Sequence, residues 1–500
     1  MIGAESPSSD VESATLIGRN VSFRLAGQIL SALINVGGMV LLGNFLGSSG
    51  YGNYAFYYAL IPLIASMSDL GVGAIITREI ARNRADGPRL LGDAICIKAA
   101  VSGALLLVGG TLAWTIFDPL RATLLTVVLA AALMDFSQDI SVWVFRAHER
   151  QDLESLLLLV SQIGWVAGIA ACAALGASLV SFLATATAAF AVRLGVGAWI
   201  LSRRMYRPRF APEWARIRRL VLQGIPFGLA MLGIVLYGRI GVLMLQTLAS
   251  ASQVALFNVA YMLSQPLGFI STAVSMSTYP VFSRDVLRGP AAVRPTLLQA
   301  IKYQIVVALP LTAGLFFTSD RLVPLLFHRE GFAGAALAIR VMSTGLVFIF
   351  MNLMSRYLLT AMDRQRLYLR AVLAGLVVNA AFGMLLIPSY GFLGACAGQL
   401  AGELTIFLVC QAALSKYIGA MDLVRTAWRP LAAAVFMGLV VFAVRQSALF
   451  LIGAAGVLAY AAMLLALRAI SADEIQILRC VYVSFGLPGS ARLKRAAERS

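Results

Sequence analysis

The chain has 500 residues, 60% of them hydrophobic and only 13% charged, yet it carries a formal net charge of +17. A mean hydropathy of +0.85 excludes a water-soluble globular domain. Five cysteines without C-x-x-C spacing and two histidines in separate aqueous segments, His148 and His328, exclude a disulfide framework, a thiolate or histidine metal site and a Ser/His/Asp triad.

The first twenty residues hold Glu5, Asp10 and Glu12 and no apolar core, so no cleavable signal peptide is expected and the first apolar stretch doubles as the insertion signal. About fourteen apolar stretches then follow, each roughly 18–28 residues long, enough to cross a hydrocarbon core with some tilt. They fall near 21–46, 53–77, 90–115, 122–146, 154–176, 178–202, 220–248, 252–282, 303–319, 334–362, 371–388, 391–415, 430–446 and 448–468. Such runs are too long and too evenly apolar for alternating barrel strands, so the spans are predicted to be helices. No connection on the outer side exceeds about fifteen residues, which leaves no soluble catalytic domain. The largest, Asp320 to Phe332, is expected to lie on the membrane surface as an amphipathic piece.

The basic residues follow the same alternation. With a cytoplasmic N-terminus, 32 of the 40 are assigned to the termini and to the segments after even-numbered spans. Arg193, Arg239, Arg340 and Arg356 fall inside spans, and Arg121, Arg321, Arg329 and Arg445 outside. The stretch Arg203–Arg219 (RRMYRPRFAPEWARIRR) is the densest. Its placement makes it a topology anchor facing anionic lipid rather than a nucleic-acid site.

Spans 1–6 and 7–12 read as duplicates. Ala147, Arg150, Gln151 and Leu153 after span 4 recur as Ala361, Arg364, Gln365 and Leu367 after span 10, and Leu175-Gly-Ala recurs as Leu393-Gly-Ala. Six-helix copies insert with the same orientation, so their pseudo-axis runs along the membrane normal around a central cavity, and the two bundles rock for alternating access. The expected organisation is an N-terminal segment 1–20, a bundle 21–202, a basic linker 203–219, a bundle 220–416, appended helices within 430–469 and a basic tail 470–500.

The hairpin NFLGSSGYGNYAFYYALIPLIASMSDLGVGAIITREIAR (Asn44–Arg82), LYGRIGVLML (Leu236–Leu245), Tyr279-Pro-Val-Phe-Ser-Arg284 and IPSYGFLGACAGQLAGE (Ile387–Glu403) occur in an order and spacing that resemble the Wzx-type polysaccharide flippases of the multidrug/oligosaccharidyl-lipid/polysaccharide exporter superfamily. The resemblance implies transfer of an undecaprenyl-diphosphate-linked oligosaccharide from the cytoplasmic to the periplasmic leaflet of a bacterial inner membrane, with both termini cytoplasmic. The implied partners are that lipid-linked substrate, membrane lipids, a proton or sodium ion and polysaccharide assembly proteins. No cofactor, metal or nucleic acid is expected. The chain departs from many relatives at Gly241, where they carry an Asp two residues after the span 7 Arg.

A diphosphate crossing a low-dielectric core calls for guanidinium groups, so Arg193 and Arg239 are expected to meet it from opposite bundles. Arg24, Arg340 and Arg356 stand nearer span ends, where snorkelling offers another explanation, and Arg78 is expected to be an interfacial anchor. Asp135 and Asp139 share one helix face and form a candidate ion-coupling pair. Glu403 and Asp69 are further candidates, with Asp69 better placed as a structural residue of the Asp-Leu-Gly turn near Gly71 and Gly73. A cation-coupled drug exporter of the same superfamily is the alternative, expected to show an acid-dominated cavity. A membrane glycosyltransferase or polymerase would need the soluble loop this chain lacks.

Overall fold

The structure is a computed structural model that describes the backbone of residues 7–419 and 422–469, with side chains from Gly27 onward. Among the described residues every regular element is a helix: α1 (Pro7–Asp69), α2 (Val72–Arg82), α3 (Gly87–Ile116), α4 (Pro119–Ala147), α5 (Gln151–Ala174), α6 (Leu179–Arg204), α7 (Trp214–Leu248) and α8 (Ala251–Ser264). They continue as α9 (Gly268–Arg288), α10 (Pro290–Leu326), α11 (Ala335–Thr344), α12 (Leu346–Ala361), α13 (Gln365–Tyr390), α14 (Phe392–Ile418), α15 (Leu423–Ala443) and α16 (Leu449–Ala466).

Helix α1 is two spans. Gly47 leaves helical geometry at φ 69°, ψ 178°, a conformation open to a residue without Cβ. Trp165 proves the fold-back. A Cβ placed on Gly38 would lie 2.6 Å from its ring, and its Nε1 donates to the Tyr54 hydroxyl at 3.0 Å. In a continuous helix, residues sixteen apart would stand about 24 Å apart. Among the described residues, twelve helices are long and apolar enough to cross a membrane, or thirteen with the pair α11–α12, which bends by 42°. Dividing α1 at Gly47 gives the fourteen spans read from the sequence.

Among the described residues, two further spans are broken. The second, expected over 53–77, ends at Asp69, because Leu70 (φ 48°) and Gly71 (φ 69°) turn the chain before α2 begins. Span 8 is interrupted at Gln265–Leu267, where Pro266 lacks the backbone donor a helix needs.

The first six spans pack on one another through α1, α3, α4, α5 and α6, and the next six through α7 to α14. The halves meet where α1 lies against α7 and α8, and where α2 lies against α7. The largest apolar core straddles the first of these contacts, joining Leu42, Tyr51 and Tyr54 to Val254, Phe257 and Ile339. Helices α15 and α16 form a pair on the flank of α10, where the Tyr460 hydroxyl donates to the Val306 carbonyl at 2.9 Å.

The segment expected to lie on the surface over 320–332 does not. Helix α10 continues to Leu326, and the following turn drives Phe327 and Phe332 inward, stacked 4.5 Å apart against Tyr51. Asn44 fixes it from the Gly47 hairpin, donating to the Leu326 carbonyl at 2.7 Å and accepting from the His328 N–H at 2.8 Å. Its two aromatics supply the apolar area that the charged residues around them conceal in the sequence.

Candidate functional site

Between the halves lies a cavity of about 490 Å³, lined by α1, α5, α7, α8 and α9, a volume within the range of ligand pockets. Its polar groups include Gln28, Ser31, Asn35, Gln162, Asn258 and Gln265, with Tyr58 and Tyr261 beside them. Among the described residues, Arg239 is the charged residue in its wall, and neither Asp nor Glu lines it. The Arg239 guanidinium stands 5.9 Å from the Tyr261 ring, a cation–π arrangement that keeps the charge without neutralising it. Asn258 is held in place by donating to the Tyr51 hydroxyl at 2.8 Å.

Gly241 also finds its explanation here. A Cβ at that position would lie 2.8 Å from the Phe257 ring, so the carboxylate many relatives carry would displace an aromatic of the interface between the halves.

Arg193, expected opposite Arg239, does not line this cavity. It lies among charges inside the first half, with Asp135 and Asp139 as its first charged neighbours and its Nε buried without a hydrogen-bond partner. The physical reason is attraction: two carboxylates one turn apart on α4 hold a cation that would otherwise face solvent. Gln138 bridges the pair, its Nε2 donating at 3.1 Å to an oxygen of each. Lys98 of α3 completes the cluster. It is 3% exposed, its Nζ donates to the Phe136 carbonyl, and it sits 3.7 Å and 4.2 Å from the Phe136 and Trp143 ring centroids. Asp69 joins from the end of span 2, receiving the Gly71 N–H and neighbouring Lys98. Its other oxygen, Oδ1, is buried without a partner.

Lys98 is not among the candidates that the sequence singles out. Its position within the apolar stretch 90–115 was the signal available for finding it.

Glu403 belongs to a separate network in the second half. Asn352 donates to its Oε2 at 2.8 Å, Gln399 to its Oε1 at 3.3 Å, and Asn379 to Gln399 at 3.0 Å. The Tyr237 hydroxyl lies beside the carboxylate without meeting hydrogen-bond geometry. Arg340 is paired with Asp320, one helix away, and so stands apart from the cavity. Arg356 is exposed near the Tyr357 ring, 5.4 Å from its centroid. The Arg24 side chain lies outside the described residues. Arg78 lies on α2, where it bonds Glu79 at 3.1 Å.

Comparison with known proteins agrees with this architecture. Residues 17–285 match the family model described as polysaccharide biosynthesis protein, and residues 226–385 match MatE. A probable low-salt glycan biosynthesis flippase, Agl15 of Haloferax volcanii, is 20% identical over 359 residues, 72% of this chain and 75% of the relative. Among solved structures, the lipid II flippase MurJ in an inward closed conformation superposes with a TM-score of 0.76 at 12% identity, covering 88% of this chain and 97% of that one. An inward-facing MATE-family multidrug resistance transporter of the MOP superfamily gives 0.62 at 16% identity, over 79% and 98%. With more than half of its length matched by one family model, this multi-pass membrane protein belongs to the polysaccharide biosynthesis protein family, on the fold of the MOP-superfamily transporters.

Proposed function

We propose that the chain is a transporter, not an enzyme, that moves a lipid-linked, phosphate-bearing oligosaccharide between the leaflets of a cytoplasmic membrane. The observation that carries the reading is the cavity between the halves, whose wall, among the described residues, holds Arg239 and no acid. Such a site favours an anion over the cationic drugs that an acid-lined cavity would select. The flippase activity named for Agl15 and for MurJ supports the same reading. Arg239→Ala is expected to abolish surface glycan while Arg239→Lys retains part of it, both at unchanged protein abundance. Equal transport by wild type and Arg239→Ala would overturn the assignment.

As part of this proposal, the cluster on α3, α4 and α6 is the coupling site. Asp69, Asp135 and Asp139 face Lys98 and Arg193, so the group is one positive charge short of neutrality. A proton or a sodium ion would supply that charge. Transport into vesicles under separate proton and sodium gradients tests it. Identical rates with either gradient or none, at zero membrane potential, would remove the coupling role.

A further inference from the structure

A second basic site lies away from the central cavity, on the face to which α2 and the start of α7 contribute. It is a cleft of about 490 Å³ whose wall includes Arg78, Arg82 and Arg89 from the first half and Arg216 and Arg219 from the second. Two acids, Glu79 and Asp86, share this wall. Glu79 is occupied by Arg78 at 3.1 Å and approached by Arg82 at 3.8 Å, and Asp86 accepts from Asn83 at 2.8 Å. Arg216 is engaged by Asp93 and Glu213. Among the described residues neither Arg89 nor Arg219 forms an ion pair, so the cleft holds positive charge that its own acids do not neutralise.

The cleft sits over one of the places where the halves approach closely. A Cβ on Gly71 would lie 2.1 Å from the Gly224 carbonyl oxygen and 2.4 Å from the Gly228 nitrogen. Gln223, the residue before Gly224, lines the cleft, and α2 begins at the residue after Gly71. The two walls are therefore fixed to the two sides of this seam. Separating the halves here would pull Arg78, Arg82 and Arg89 away from Arg216 and Arg219.

We propose that this cleft binds a phosphate-bearing anion, and that the anion clamps the α2–α7 seam closed. Forked guanidiniums on both walls match the oxygens of a phosphate group, and its charge removes the repulsion between the walls. Closure then depends on what occupies the cleft, whatever the central cavity carries. The phosphate has two sources: the headgroup of an anionic phospholipid in the adjoining leaflet, or a free phosphate or pyrophosphate.

Hydrogen exchange on the full chain in nanodiscs distinguishes them. One arm uses phosphatidylcholine with added sodium pyrophosphate, and the other replaces part of that lipid with phosphatidylglycerol. Slower amide exchange in residues 72–82 and 214–223 is expected in at least one arm and identifies the source. It should fade as salt is raised. Arg89 and Arg219 are exposed, so the double variant Arg89→Gln/Arg219→Gln is expected to fold. It should need about tenfold more of the same anion for half protection. No protection in either arm, or unchanged half protection in the double variant, would overturn the proposal.

Discussion

Gly228→Ala should bias the halves apart at the α2–α7 seam. The added Cβ would meet the Leu70 carbonyl carbon at 2.6 Å and the Gly71 nitrogen at 2.8 Å, both backbone atoms with no flexible end to give way. Restoring the 3.4 Å of ordinary contact requires the turn to retreat by about 0.8 Å. Overpacking of this kind costs about 1–3 kcal/mol. The usual gain from replacing a helical glycine by alanine is present in the open and closed arrangements alike and cancels between them. The equilibrium should therefore move about 5- to 150-fold toward separation. Gly195→Ala, whose Cβ meets nothing within 4 Å, is the control. Gly52→Ala, whose Cβ would lie 1.7 Å from the Ala251 carbonyl oxygen, should loosen the opposite seam instead. The assay is thiol labelling of single cysteines introduced beside each seam, in a background cleared of native cysteines. Equal labelling of Gly228→Ala and Gly195→Ala would show that the seam does not open, and the argument from close approach would fail.

Three more expectations follow from the same geometry. Lys98→Met takes the cationic neighbour from Asp69 and leaves Asp135 and Asp139 one buried cation fewer, and should cost about 3–5 kcal/mol in thermal unfolding, with partial rescue by Asp139→Asn; equal stability of Lys98→Met and wild type would refute the cluster. Asn44→Ala strands the Leu326 carbonyl and the His328 N–H and should cost about 1–3 kcal/mol, read as a lowered unfolding temperature, whereas no change would mean that water replaces both bonds. Reporter fusions at Ser48 and Gly87 are expected to report opposite sides of the membrane, with Gly87 cytoplasmic; Gly87 outside would invert the topology.

The spans were legible because a 30 Å hydrocarbon core sets a minimum apolar length that composition alone reveals. The Asp69-Leu-Gly turn is legible as a turn, but apolar residues on both sides of it extend the expected span to 77, so the break that ends span 2 at Asp69 is not. Partnerships between helices were hidden. Nothing in the sequence around Arg340 points to Asp320, and nothing around Arg193 separates it from Arg239, yet one joins the carboxylates of α4 and the other lines the cavity. The 320–332 segment misled for a related reason, since its charges suggested a surface while Phe327 and Phe332 are buried by Tyr51, nearly three hundred residues away.

Helix α10 runs 37 residues, about 55 Å at 1.5 Å per residue, nearly twice the hydrocarbon thickness. One end leads into the Phe327–Phe332 turn that abuts the Gly47 hairpin, and its flank carries the α15–α16 pair. Such a rod behaves as a lever through the bilayer. A tilt of only a few degrees at one surface becomes a displacement of several ångströms at the other, so the appended pair, which lies against Val306 and Phe317 of this helix, is mechanically linked to the turn at its end.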